Sequence, residues 1–186
     1  MALLKPYFDK RIRCDLDPTL LYGDTFWSKI CSERRIDKPY IFVYMLRPDI
    51  KIIDMARTIA KKRNLEVIYT GLLSDKFAGI QTICDAGIED FLSLIKNADI
   101  VLTNSFHGTV FSVLFRKNFL SVKLASTSSR VENLLEKIGI SDRLIIDRSG
   151  LYKIDEPINY ESALKLLEQE RANSLEYIKE IVCKRK

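Results

Sequence analysis

The feature that most limits the folds open to this chain is an alternation that begins at residue 40. YIFVYML (40–46) is a short, apolar, β-rich run. After Pro48-Asp49, the segment IKIIDMARTIAKKR carries Ile52, Ile53, Ala56, Ile59 and Ala60 at helical spacing, and LEVIYTG (65–71) reads as a second strand. Strand, helix and strand in that order make a β-α-β unit, with parallel strands and a right-handed crossover.

The order then repeats. GIEDFLSLIKNA (87–98) has Ile88, Phe91, Leu92 and Ile95 on one helical stripe, DIVLT (99–103) is a strand, FHGTVFSVLFRK (106–117) is a helix apolar nearly all round, and NFLSV (118–122) is a strand. RVENLLEKIG follows, with Ser129 and Glu132 spaced as a capping box and Gly139 placed as the helix stop. RLIID (143–147) reads as a last short strand. Strands apolar along their whole length need helices on both faces, so the fold class is α/β, a doubly wound, Rossmann-like open parallel sheet.

This core spans residues 40–157. Residues 1–39 show no partner strand, and residues 158–186 hold one long charged helix after Pro157. Both read as pieces that pack on something other than this domain. The helix carries an apolar stripe, Leu164, Leu167, Leu175, Ile178 and Val182, which the 40–147 core is expected to cover only in part.

A length of 186 residues with 47% hydrophobic composition supports one well-buried core. No window approaches the ~18 to 20 apolar residues of a membrane span, and MALLKPYFDKR turns charged too early for a signal peptide. The chain reads as cytoplasmic. Cys14, Cys31, Cys84 and Cys183 are scattered without a C-x-x-C pair, and with one histidine a zinc site lacks its usual ligands; reduced, buried structural thiols are expected, and no metal. The net charge of +5 permits an anionic partner. Lys61-Lys62-Arg63 and Lys184-Arg185-Lys186 read as solvated surface, and without interleaved aromatics they do not suggest nucleic acid.

In an open parallel sheet, ligands bind beyond the carboxyl ends of the strands, where strand order reverses. The loops at that edge hold Arg47; Thr70 and Gly71; Asn104, Ser105, Phe106, His107 and Gly108; and Lys123 with Ser126, Thr127, Ser128, Ser129 and Arg130. Positive and hydroxyl-bearing groups gather there without a carboxylate, which suits an anionic ligand. Asn104 or Ser105 is placed to cap the following helix, leaving first-turn amides facing the crevice, and Gly108 allows close backbone approach. His107, the only histidine, stands in that first turn as a candidate proton donor or acceptor. The bland alternative is a satisfied structural histidine in an apolar segment. Lys123 likewise reads equally as a snorkelling strand-end lysine. Arg130, a cation at a helix N-terminus, hints weakly at a bound anion.

FLSLIKNADIVLTNSFHGTVFSVLFRKNF, followed by SSRVENLLEKIGISDR, resembles the polysaccharide pyruvyl transferase family, and DLDPTLLYGDTFW resembles the connection into the second half of those proteins. The resemblance implies one half of a GT-B-like architecture of two Rossmann-like domains. It further implies transfer of a pyruvyl group, as a ketal, from phosphoenolpyruvate to hydroxyls of a cell-surface polysaccharide sugar, without a cofactor. It matches the family histidine to His107 and the family lysine to Lys123. Asn104, Ser105, Gly108, Ser129, Arg130 and Arg47 complete the expected binding set.

Almost nothing precedes the DLDPTLL segment. The chain therefore reads as a carboxyl-terminal half, inactive alone, with a family arginine, an N-terminal half domain or a second copy supplied from elsewhere. Its setting would be the inner membrane face, with a lipid-linked saccharide acceptor. Two rivals stand beside this reading. One is a nucleotide-sugar glycosyltransferase half, to which Glu168 and Glu176 give a formal E-x7-E match; the other is a non-catalytic anion- or sugar-binding module.

Overall fold

The computed structural model describes residues 13–71, 77–123 and 129–183. Six parallel strands, β1 (Tyr40–Tyr44), β2 (Glu66–Thr70), β3 (Gln81–Ile83), β4 (Ile100–Thr103), β5 (Asn118–Val122) and β6 (Leu144–Ile145), form one sheet in the order β3-β2-β1-β4-β5-β6. The chain steps outward from β1 to β3 and then returns to lay β4 on the other side of β1. Strand order therefore reverses between β1 and β4, where a doubly wound sheet opens a crevice. Tyr44 lies opposite Thr103 at the ends of these two strands, so the loops that follow them start side by side.

Side chains of a strand point alternately to its two faces, and both faces here are covered. Tyr40 and Phe42 of β1, Val101 of β4 and Phe119 of β5 enter one core, beneath α3 (Ile88–Asn97), α4 (Phe106–Leu114), α5 (Ser129–Lys137) and the start of α6 (Tyr160–Cys183). Ile41, Val43, Ile100, Leu102 and Leu120 enter the other, beneath α2 (Ile50–Arg63), whose Ile52, Ile53, Ala56, Ile59 and Ala60 are all buried. Asp49 caps α2 by accepting from the Lys51 amide, and Asn64, at φ 54°, ends it in the left-handed conformation. Gly139, at φ 71°, turns the chain just after α5, as the sequence predicts.

Several expectations are corrected. The edge strand β3 is absent from the sequence reading, being only three residues long. Ile88 is 71% exposed, and the buried face of α3 is formed by Leu92, Leu94 and Ile95. Cys14, Cys84 and Cys183 are exposed, and Cys31 is half-buried, so the thiols are free but not core residues. Lys62 and Arg63 both reach Asp155, at 2.7 and 2.5 Å, so two residues of the first basic cluster tie α2 to the segment before α6.

The N-terminal segment packs on the sheet domain itself. Leu20, in a 3-10 turn (Pro18–Leu21), is 1% exposed, and the Trp27 indole of α1 (Asp24–Ser28) stands edge-on to Phe111 at 5.1 Å. The Leu16 amide donates to Ser174 Oγ and Arg171 Nε donates to the Leu20 carbonyl, so α6 holds the segment from behind. The apolar stripe of α6 divides as expected: Leu167 is buried and Leu164 half-buried, whereas Leu175, Ile178 and Val182 are exposed. Among the described residues, no helix is long and apolar enough to cross a membrane.

The sequence does not reveal the role of Arg143. At 1% exposure it donates to the carbonyls of Lys153, Glu156 and Pro157, at 2.6, 3.0 and 3.3 Å. A buried guanidinium needs such partners, and here they fasten the segment leading into α6 to the start of β6.

Candidate active site

At the reversal point the end of β4 is fixed from both sides. The Thr103 hydroxyl donates to the Tyr44 carbonyl of β1 at 2.7 Å and accepts from the Ser105 amide at 3.0 Å. Ser105 is the cap of α4, its hydroxyl accepting a long 3.4 Å bond from the Gly108 amide. The amides of Phe106 and His107 precede the first intrahelical donor, the Thr109 amide, and stand at the positive end of the helix. His107 projects outward from this turn with its side chain 48% exposed, so it is not enclosed in the core.

A carboxylate that the sequence reading did not place is beside it. Asp17 caps the 3-10 turn, its Oδ1 accepting from the Thr19 amide at 3.1 Å and from the Thr19 hydroxyl at 2.7 Å. That same Oδ1 is 3.8 Å from His107 Nε2, and Oδ2 accepts from Arg130 Nη2 at 2.6 Å. The Arg130 guanidinium lies over the Phe106 ring, 3.8 Å from its centroid, and the Phe106 and His107 rings meet edge-on at 5.4 Å. Burial raises the affinity of the Asp17 carboxyl for a proton. The Thr19 hydrogen bonds and the neighbouring His107 and Arg130 outweigh that effect and hold the group below the usual carboxylate range.

The remaining expected site residues separate into two groups. Ser129 and Arg130 open α5, and Lys123, at the end of β5, lies 2.5 Å from Glu132 Oε1 one turn further on. These stand on the same sheet edge as His107. Asn104 and Gly108 do other work. Asn104 is 7% exposed, accepts from the Leu46 amide at 2.8 Å and donates to the Arg47 carbonyl at 3.0 Å, so it ties the loop after β1 to that after β4. Gly108 is buried against the sheet, where a Cβ would meet Thr103 Oγ1 at 2.3 Å, so its smallness serves helix-to-strand packing. Arg47 is exposed on the β1 loop, joined to the site through its carbonyl. Ser126, Thr127 and Ser128 lie outside the described residues.

A cleft of about 220 Å³ opens beside the Asp17–Arg130 pair, between residues 14–20 and α5, with Phe106, Asn133 and Lys137 in its wall. His107 borders the outer side of that pair rather than the cleft wall. Of the rival glutamates, Glu168 pairs with Arg171 on its own helix and Glu176 is exposed further along it. Sequence reasoning had one signal for Asp17, the Asp-Pro cap of the turn, but nothing local tells of its approach to α4 and α5.

The sequence model of the family described as polysaccharide pyruvyl transferase matches residues 1–125. The chain belongs to that family. The polysaccharide pyruvyl transferase match takes in Asp17, His107 and Lys123, and ends before Ser129 and Arg130. No curated protein matches it. Among solved structures, it is similar to UDP-GlcNAc 2-epimerase from Methanocaldococcus jannaschii (17% identity, TM-score 0.44, covering 82% of this chain and 42% of that one). It is also similar to UDP-GlcNAc 2-epimerase from Neisseria meningitidis bound to UDP-GlcNAc (14%, 0.49, 87% and 47%) and to E. coli ADP-heptose LPS heptosyltransferase II (8%, 0.43, 91% and 56%). This member of the pyruvyl transferase family spans about half the length of these structures.

Proposed function

We propose that the chain carries the phosphoenolpyruvate site of a pyruvyl transferase that forms a ketal on a cell-surface polysaccharide sugar. The observation that supports this most is the position of His107. An exposed imidazole stands at the positive end of α4, on the edge where strand order reverses, with Arg130 close by.

In this reading His107 gives a proton to the methylene carbon of the enol phosphate. The carbon that bears phosphate and carboxylate becomes cationic, and an acceptor hydroxyl adds to it. A second hydroxyl of the same sugar then displaces phosphate and closes the ketal. Of the two hydroxyl protons released, one restores His107 and the other leaves with phosphate or solvent. Arg130, Lys123 and the first-turn amides of α4 hold the carboxylate and phosphate, placing positive charge where the donor is negative. Residues 40–157 act as the donor half of the enzyme. The reaction belongs to the cytoplasm, with a lipid-linked saccharide as acceptor.

The test is phosphate release from phosphoenolpyruvate by the protein with any upstream coding sequence included, measured with a panel of sugar acceptors. His107→Asn is expected to lower turnover by roughly 100-fold or more. Titration with a uridine nucleotide sugar runs in parallel. Tight binding of the nucleotide sugar, with none of phosphoenolpyruvate, would replace this reading by the glycosyltransferase one.

A further inference from the structure

We infer that Asp17 is the positioning residue of His107 and Arg130, fixing the imidazole and the guanidinium side by side on this edge. The inference rests on His107 as the proton donor of pyruvyl transfer, and it assigns the carboxylate that places that donor.

The surroundings of the imidazole support the assignment. From α4 itself come the positive helix end and the Phe106 ring edge, and from α5 comes Arg130. Further along the edge, Lys123 is matched by Glu132. Asp17 is the carboxylate that approaches His107, with Oδ1 at 3.8 Å from Nε2. A proton donor to carbon acts only when its ring is aimed at that carbon, so the group that fixes the ring governs the step.

Asp17 is also built to stay in place. Its Oδ1 is fixed by the two Thr19 hydrogen bonds, and its side chain is only 17% exposed. The turn that bears it is anchored by buried Leu20, by the Trp27 indole donating to the Thr19 carbonyl at 3.0 Å, and by Arg171 on the Leu20 carbonyl. Through Oδ2 the same carboxylate orients Arg130, so one residue sets both the acid and a cation for the donor.

Asp17→Asn removes the charge and keeps a side chain that caps as well as aspartate; Asp17→Ser also caps and serves as the second variant. His107 is the only histidine, so its imidazole nitrogens give the only such signals in the nitrogen-15 spectrum of the full chain. At one pH near neutrality, both variants are expected to move these signals from their native positions. Signals unchanged in both variants would overturn the inference.

Turnover supplies a second readout. Asp17→Asn is expected to lower kcat by about tenfold or more and to raise KM for phosphoenolpyruvate, through Arg130, by a smaller factor; Asp17→Glu is expected to restore part of the loss, and Asp17→Asn to cost no further kcat on His107→Asn. A loss confined to KM, or a full further loss of kcat in the His107→Asn background, would overturn it. If the protein with any upstream coding sequence included releases no phosphate from phosphoenolpyruvate, the pyruvyl-transfer reading fails, while the nitrogen-15 comparison still decides the Asp17–His107 pair.

Discussion

Arg130 donates to Asp17 across 113 positions of sequence, at 2.6 Å, and so joins the first turn of α5 to the segment that precedes the sheet. The Arg130 side chain is 57% exposed, so the pair adds little to stability, about 0 to 1 kcal/mol. Its effect is to fix where the guanidinium stands relative to His107. Arg130→Ala should therefore change urea unfolding by less than about 1 kcal/mol while weakening phosphoenolpyruvate binding by about tenfold or more, as expected for a charge-assisted contact. Calorimetric titration checks the second half. Binding equal to that of the native protein would remove Arg130 from the donor site.

The Asp17 carboxyl gives a pH signature. Its proton affinity in the fold is held below the ordinary value of 3.8, so its charge stabilises the folded state above that value and ceases to do so as pH falls through the folded one. The difference in thermal stability between the native protein and Asp17→Asn should be constant near neutrality. It should shrink progressively as pH falls below about 4. A difference that persists unchanged at the acid end would assign it to packing rather than charge.

The doubly wound sheet was legible because its signals are local. Each strand and helix from 40 to 122 except the three-residue β3 carries its own local pattern, and the position of His107 after β4 follows from strand order alone. What was not legible depends on distance in sequence. Asp17 reaches Arg130 only after the chain has folded back, and the Asp-Pro cap that marks its turn says nothing about which helix it meets. The structural tasks of Asn104 and Gly108 were not legible either. An amide and a glycine after a strand carry no local sign that one ties down the end of β1 and the other packs on the side chain of Thr103.

Gly108→Ala tests the packing of α4 on Thr103. The added methyl would meet Thr103 Oγ1 at 2.3 Å and Thr103 Cβ at 3.0 Å, and it would press on the hydroxyl that joins β1 to the Ser105 amide. The expected loss is roughly 1 to 3 kcal/mol in chemical denaturation. Thr103→Ala combined with Gly108→Ala should cost less than the sum of the two single changes, because the clash disappears with the threonine side chain. Strict additivity would show that the two residues do not compete for the same space.

Arg143 should behave as a structural residue. Arg143→Leu would leave the carbonyls of Lys153, Glu156 and Pro157 without their donor. At about 1 to 3 kcal/mol for each buried group left unpaired, a loss of roughly 3 kcal/mol or more is expected in urea unfolding. Phosphoenolpyruvate affinity of the folded fraction should not change, since the residue lies beneath the start of β6 rather than at the β1–β4 crevice. A binding defect in fully folded Arg143→Leu would contradict that placement.

Lys123 separates binding from chemistry. Its ammonium is 2.5 Å from Glu132, with both side chains near 40% exposed, so the resting pair is solvent-screened and open to exchange for a stronger anion. Phosphoenolpyruvate is expected to bind near millimolar, about 4 kcal/mol, and each charge-assisted hydrogen bond contributes roughly 1.5 to 3 kcal/mol. Lys123→Ala should then abolish detectable binding. Glu132→Gln should tighten binding a few-fold, because the donor no longer has to displace a carboxylate. His107→Asn should weaken binding only modestly, because a proton-transfer group acts chiefly in the transition state, yet it should have the largest effect on turnover. If His107→Asn instead abolished binding while Lys123→Ala left it intact, the histidine would be the anion ligand and the assignment of roles along this edge would reverse.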